Sequence, residues 1–177
     1  MKEILISIKP EWVAKILNGE KTIEIRKTMP KCDLPIDVYI YCTKGKQGIF
    51  KERHNGYTLL NQNKWIQSEM SGKVVAKFTL NKVKKISRYD TIKTSSLEQT
   101  CLSAEELWNY AKEFTYFWHI SNLVIFDEPK ELSEFYKIVE TSIGYELTDT
   151  KKEKPIKLNG CKHLTKAPQS WCYVEAL

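Results

Sequence analysis

Residues 4–26 read ILISIKPEWVAKILNGEKTIEIR, and this stretch sets the architecture. ILISI, residues 4–8, is apolar apart from Ser7 and predicts a strand covered on both faces. Pro10 then opens a helix, since a proline in the first turn costs no hydrogen bond. Trp12, Val13, Ile16 and Leu17 fall at helical spacing and define its apolar face. Asn18-Gly19 closes it, glycine suiting the left-handed position after a helix end. A second strand, Lys21 to Arg26, follows at once. On a strand, Ile23 and Ile25 point one way while Thr22, Glu24 and Arg26 point the other. Glu24 and Arg26 then stand side by side, roughly 6 to 7 Å apart along the chain.

Two readings of that pair stay open. As an exposed ion pair it contributes about 0 to 1 kcal/mol and no function. As the wall of a cleft, the arginine orients the carboxylate and keeps donors free for a phosphate or carbonyl. The carboxylate can accept from the exocyclic amine of a base. Lys21, at the strand's start, reaches the same mouth.

Working outward, IDVYIYC at 36–42 is a third strand, with Asp37, Tyr39 and Tyr41 on one face and Val38, Ile40 and Cys42 on the other. Residues 43–72 are polar and weakly periodic, and predict a long loop with a helical turn near 64–70. Its Lys46, Lys51, Arg53 and His54 form a basic cluster, either solvated or an electrostatic arm for nucleic acid. KVVAKFTLNKVKKI at 73–86 is a long strand bent at Asn81-Lys82, with Val74, Ala76, Phe78 and Leu80 buried. Ser103 with Glu106 predicts a capping box opening a helix that carries Leu107, Trp108 and Ala111. A strand spans 117–126, a turn 127–129, and a short helix 130–136 turns Leu132 and Phe135 inward. Residues 141–160 show little apolar pattern and predict a mobile excursion. Residues 170–174 form a last strand. About six short strands with few helices predict an α+β fold round a small, partly closed β-barrel.

The chain has 177 residues, enough for one domain spanning 1–177, and a formal charge of +6, which fits a phosphate-bearing partner without requiring one. No run approaches the ~18 apolar residues of a membrane span, and no signal peptide is visible. Five cysteines without a C-x-x-C pair predict free thiols in a reducing cytoplasm. Cys161, His163 and Cys172 lack the spacing and the fourth ligand of a zinc site, so neither a metal nor a cofactor is expected. His119, alone in an apolar strand, reads as a core histidine rather than a general base.

SIKPEWVAKILNGEKTIEIRK, residues 7–27, resembles the opening of ASCH-family domains, members of the PUA-like superfamily. The shared pattern is a strand, a helix, then G-x-K-x-x-[Glu or Thr]-x-R, met here by Gly19, Lys21, Glu24 and Arg26. VYIYCTKGK, KVVAKFTLNKV, WHISNLVIFDEPKELSEF and APQSWCYVE also resemble family segments of a bacterial and phage subgroup, with 43–72 and 141–162 as insertions. The resemblance implies a small mixed β-barrel flanked by helices, with a cleft for RNA, a nucleotide or a modified base. On that expectation the ligand-binding residues are Lys9, Lys21, Glu24, Arg26, Tyr41, Ser170 and Trp171. Some small relatives are amidohydrolases that deacylate acetylated cytidine, using a threonine nucleophile, a lysine and a separate glutamate. Lys21 matches that lysine, but Glu24 occupies the threonine position and cannot act as an alkoxide. Lys21 and Glu24 are therefore catalytic candidates only under the alternative of a hydrolase or ribonuclease. A third possibility is a protein-docking module of a transcription complex.

Overall fold

The computed structural model of the chain describes residues 2–44, 53–54, 57–61, 64–67, 70–147 and 153–175. The strands are β1 (Lys2–Ile8), β2 (Ile23–Arg26), β3 (Ile36–Cys42), β4 (Arg53–His54), β5 (Tyr57–Asn61), β6 (Lys64–Gln67), β7 (Val74–Ser87), β8 (Phe114–Lys130), β9 (Tyr136–Leu147), β10 (Glu153–His163) and β11 (Trp171–Glu175). The helices are α1 (Pro10–Leu17), α2 (Thr94–Glu98) and α3 (Ala104–Ala111), with a 3-10 turn at Leu132–Glu134. Eight strands form one sheet in the order β10-β9-β11-β1-β3-β7-β8-β2, and β4-β5-β6 form a second. β1 runs parallel to β3 and antiparallel to β11.

β1 is central because its sequence is apolar on both faces. Ile4, Ile6 and Ile8 enter a core with α1, β3, β7 and Trp118. Leu5 points the other way, joining Tyr39, Tyr41, Phe135 and Val174 in a second core. A third cluster gathers Ile23, Ile25, Ile86, Leu107 and Phe117, so the isoleucines of β2 pack with Leu107 of α3.

The expected barrel is not closed. β10 and β2 end the sheet and do not pair with each other. The sheet nevertheless curls. Arg26 on β2 donates to the Ser7 carbonyl on β1 at 2.8 Å, although β3, β7 and β8 lie between those strands. Trp171 donates to the Thr28 hydroxyl at 3.0 Å, and the Lys31 amide to the Tyr173 hydroxyl at 2.6 Å. Side chains, not a backbone ladder, span the gap, because β2 has only four residues and its outer edge borders a cleft.

Other departures have local causes. β9 and β10 form a hairpin where a mobile excursion was expected, raising the sheet from six strands to eight. A backbone ladder at a sheet edge needs no apolar alternation to form. Residues 64–67 are a strand, not a helical turn. β8 runs straight through Asp127-Glu128-Pro129, overriding the turn signal. β2 covers β8 only from Tyr116 to His119, so beyond it β8 is an edge, where proline is tolerated. A register shift between Val74 and Ala76 sends Val74 into the second core while Ala76, Phe78 and Leu80 stay in the first. The helix expected at 130–136 is reduced to one 3-10 turn, with Phe135 buried and Leu132 packed beside it. The capping box forms as expected: the Glu106 amide donates to Ser103 Oγ and the Ser103 amide to Glu106 Oε2. These bonds hold the Glu106 carboxyl below its ordinary pKa.

Among the described residues no helix is long and apolar enough to cross a membrane, and no group of histidine, cysteine and carboxylate side chains has metal-site geometry. The side chains of Lys46, Lys51, Arg53 and His54 lie outside the described set.

Candidate functional site

The helix-to-strand step after Gly19 builds the floor of the site. Gly19 takes φ +73°, and the Glu20 and Lys21 amides both donate to the Lys15 carbonyl, turning the chain sharply into β2. The amides of Thr22 and Ile23 donate to the Gln99 carbonyl, pinning the start of β2 to the loop after α2. Lys21 follows the same loop, its ammonium donating to the Thr100 carbonyl at 2.7 Å.

The three charged side chains converge. Lys21, Glu24 and Arg26 are 3%, 5% and 9% exposed, so the reading as an exposed ion pair fails. Arg26 Nη1 donates to Glu24 Oε1 and to the Ile25 carbonyl, and Nη2 reaches the Ser7 carbonyl. Lys21 Nζ stands 3.4 Å from Glu24 Oε2, an ion-pair contact. Glu24 Oε2 and Arg26 Nε are buried yet lack a hydrogen-bond partner. A buried polar atom without a protein partner is costly unless water, an ion or a ligand meets it. Two buried cations against one carboxylate leave the floor with an excess positive charge.

These groups open onto a cavity of about 990 Å³. Five cationic side chains line it, Lys9, Lys21, Arg26, Lys27 and Lys44, against two carboxylates, Glu24 and Glu106. Three aromatic residues, Trp12, Tyr41 and Tyr110, complete the walls. Lys21 Nζ lies 5.3 Å from the Trp12 ring centre, and Lys27 Nζ 4.9 Å from that of Tyr110. Burial pushes the Tyr110 hydroxyl above the ordinary tyrosine range, with the neighbouring Arg26 pulling the other way. Tyr41 is raised too, mainly by burial.

Of the residues expected at the site, Lys9, Lys21, Glu24, Arg26, Tyr41 and Ser170 line the cavity. Lys9 is at the exposed rim, paired with Glu11 at 3.9 Å. Trp171 is not among the lining residues. It packs against Trp118 and Tyr173 and donates to Thr28, behind the cleft wall. Residues 167–170 line the cavity, whereas Trp171 opens β11 and turns its ring onto Trp118 and Tyr173. His119 is half-exposed on β8 rather than a core residue, and burial followed by the charges of Lys82 and Lys84 holds its pKa below the usual value.

Sequence reasoning missed Trp12 and Tyr110 as cleft residues. Trp12 was assigned to the apolar face of α1, which it also serves. Tyr110, three positions after Leu107, carried no signal beyond being an aromatic residue on a helix. Thr100, whose carbonyl holds Lys21, had none at all.

Together the curled open sheet and the charged hollow at its unsealed side define a mixed α+β fold with a charged cleft. The chain belongs to the ASCH domain family, whose model matches residues 6–130. No curated protein matches the chain in sequence. Among solved structures it is similar to the ASCH protein of Zymomonas mobilis, with TM-score 0.51, 18% identity, and 73% of each chain covered. A tyrosine-to-phenylalanine variant of that protein aligns with TM-score 0.49 and 17% identity over 75% of this chain and 77% of that one. At such identity the likeness concerns the fold.

Proposed function

We propose that the cleft binds RNA or a nucleotide, seating one base against Glu24 and Arg26 with its phosphate toward the lysine rim. The observation that carries this reading is a cavity with excess positive charge whose buried floor holds Arg26 Nε and Glu24 Oε2, neither of them hydrogen-bonded within the protein, Oε2 having only its 3.4 Å ion contact with Lys21. Glu24 Oε2 accepts from an exocyclic amine. Arg26 Nε donates to a base or sugar oxygen. Trp12, Tyr41 and Tyr110 supply faces for stacking. RNA binding is also what membership of the ASCH family implies. Calorimetric titration with cytidine 5′-monophosphate and a short single-stranded RNA, from about 50 to 200 mM salt, tests it. Affinity falls with salt, and Arg26→Gln removes binding. An isotherm unchanged across that range, or no binding at all, overturns it.

The alternative is hydrolysis of a modified nucleoside or of RNA, supported by one observation: Glu24 Oε2 makes no hydrogen bond within the protein and retains the capacity to accept from a water. Against it, Lys21 is held by both Thr100 and Glu24. The hydroxyl nearest in sequence, Thr22, does not line the cavity. Turnover of acetylated cytidine or a short RNA by the wild type, lost in Glu24→Gln, would move the assignment to an enzyme.

A further inference from the structure

A second groove, of about 810 Å³, begins where the cleft ends. The two share Lys27 and Thr28, the residues that follow β2. Thr28 is fixed from behind, its carbonyl accepting from Trp118 at 3.3 Å and its hydroxyl from Trp171 at 3.0 Å. The partition between the hollows is therefore a braced wall. The far side of the groove carries Phe114 and Tyr116, ring centres 6.0 Å apart and edge to face. Phe114 is 41% exposed, so part of its ring is open to the groove. Lys27 and Lys31 line the groove, and Lys85, outside the lining, places its Nζ 4.4 Å from the Phe114 ring centre. Asp33 is the one carboxylate in this lining.

Aromatic faces interleaved with lysines, continuous with a cleft that already carries excess positive charge, match one kind of occupant. We infer that this groove takes the nucleotides adjoining the one held in the cleft, so that the partner is a single-stranded oligonucleotide rather than a free mononucleotide. The inference rests on the reading of the cleft given above. Lys27 stands at the junction, where the strand's backbone crosses from one hollow to the other. Lys31 and Lys85 neutralise the next phosphates, and Phe114 or Tyr116 carries the next base, a sequence-tolerant contact because every base has a π-face. The excess of lysine over carboxylate in and beside the groove, Lys27, Lys31 and Lys85 against Asp33, favours a polyanion over a protein segment.

The test uses the full chain with cytidine 5′-monophosphate and oligocytidylates of two, four and eight residues, in wild type and in the double variant Phe114→Ala, Lys31→Ala. Both positions are exposed, and circular dichroism with a melting curve checks that the fold persists. In the wild type the tetranucleotide is expected to bind roughly tenfold to a hundredfold tighter than the mononucleotide. The double variant loses that gain while its affinity for the mononucleotide stays within about twofold, because neither residue lines the cleft. A tetranucleotide that binds no tighter than the mononucleotide overturns the inference and leaves the cleft reading standing. So does a gain that survives both substitutions. Failure of every length to bind overturns both.

Discussion

The Lys21 ammonium donates to the Thr100 carbonyl at 2.7 Å, joining residues 79 positions apart. This contact anchors the Lys21 ammonium, which stands 3.4 Å from Glu24 Oε2. Removing one partner of a buried charge set leaves the rest uncompensated. Lys21→Met is expected to lower unfolding free energy by about 3 kcal/mol, read from urea denaturation. A loss below about 1 kcal/mol would mean the set behaves as an exposed pair.

On the proposed reading of the cleft, Glu24 Oε2 discriminates among bases. Cytosine offers an amine to a carboxylate where uracil offers a carbonyl oxygen. Cytidine 5′-monophosphate is expected to bind roughly tenfold tighter than the uridine form, in line with about 1 to 3 kcal/mol per good base contact. Glu24→Gln should erase the difference, because an amide can turn either its donor or its acceptor to the base. Equal affinities for the two nucleotides in the wild type would show that Glu24 does not read the base.

Trp171 separates structure from binding. Its indole holds Thr28 from behind, outside the cavity. Trp171→Phe should cost about 1 kcal/mol of stability through the lost hydrogen bond. Nucleotide affinity should change by less than about threefold, since the ring and its packing on Trp118 remain. A large loss of affinity with unchanged stability would place Trp171 in the binding surface after all.

Burial pushes the Cys42 thiol from 9.0 up to about 12. The unfolded chain ionises this thiol near its ordinary value while the folded chain resists. The stability tied to Cys42 is therefore fully present below pH 9 and declines as pH rises from 9 toward 12. Tyr41, Tyr110 and Cys172 are raised as well and add to the same slope. The difference between wild type and Cys42→Ala isolates the thiol: the variant's unfolding free energy should fall less steeply above pH 9. Parallel curves would show that the Cys42 environment does not resist ionisation.

Legibility followed the range of the interactions. Ile23 and Ile25 against Glu24 and Arg26 could be assigned to opposite faces from period-two alternation, and the structure places the isoleucines with α3. Ser103 and Glu106 announced their helix because a capping box is complete within four residues. The β9–β10 hairpin was missed because an edge ladder is built from backbone groups that every sequence carries. The partly closed barrel expected from the sequence is an open, curled sheet, and the reason is related. Alternation says that a strand has two faces, not which other strand its edge meets.

The sequence by itself determined the strand–helix–strand opening, the sharp turn at Gly19 and the grouping of Lys21, Glu24 and Arg26. Those depend on neighbours a few residues away and on backbone geometry. Only the tertiary structure decided that the three charges are buried, that the carbonyls of Ser7 and Thr100 receive two of them, and that Trp12 and Tyr110 wall the hollow above. Burial is a property of what the rest of the chain lays over a residue, and carbonyls have no side-chain signature from which a partner could be read.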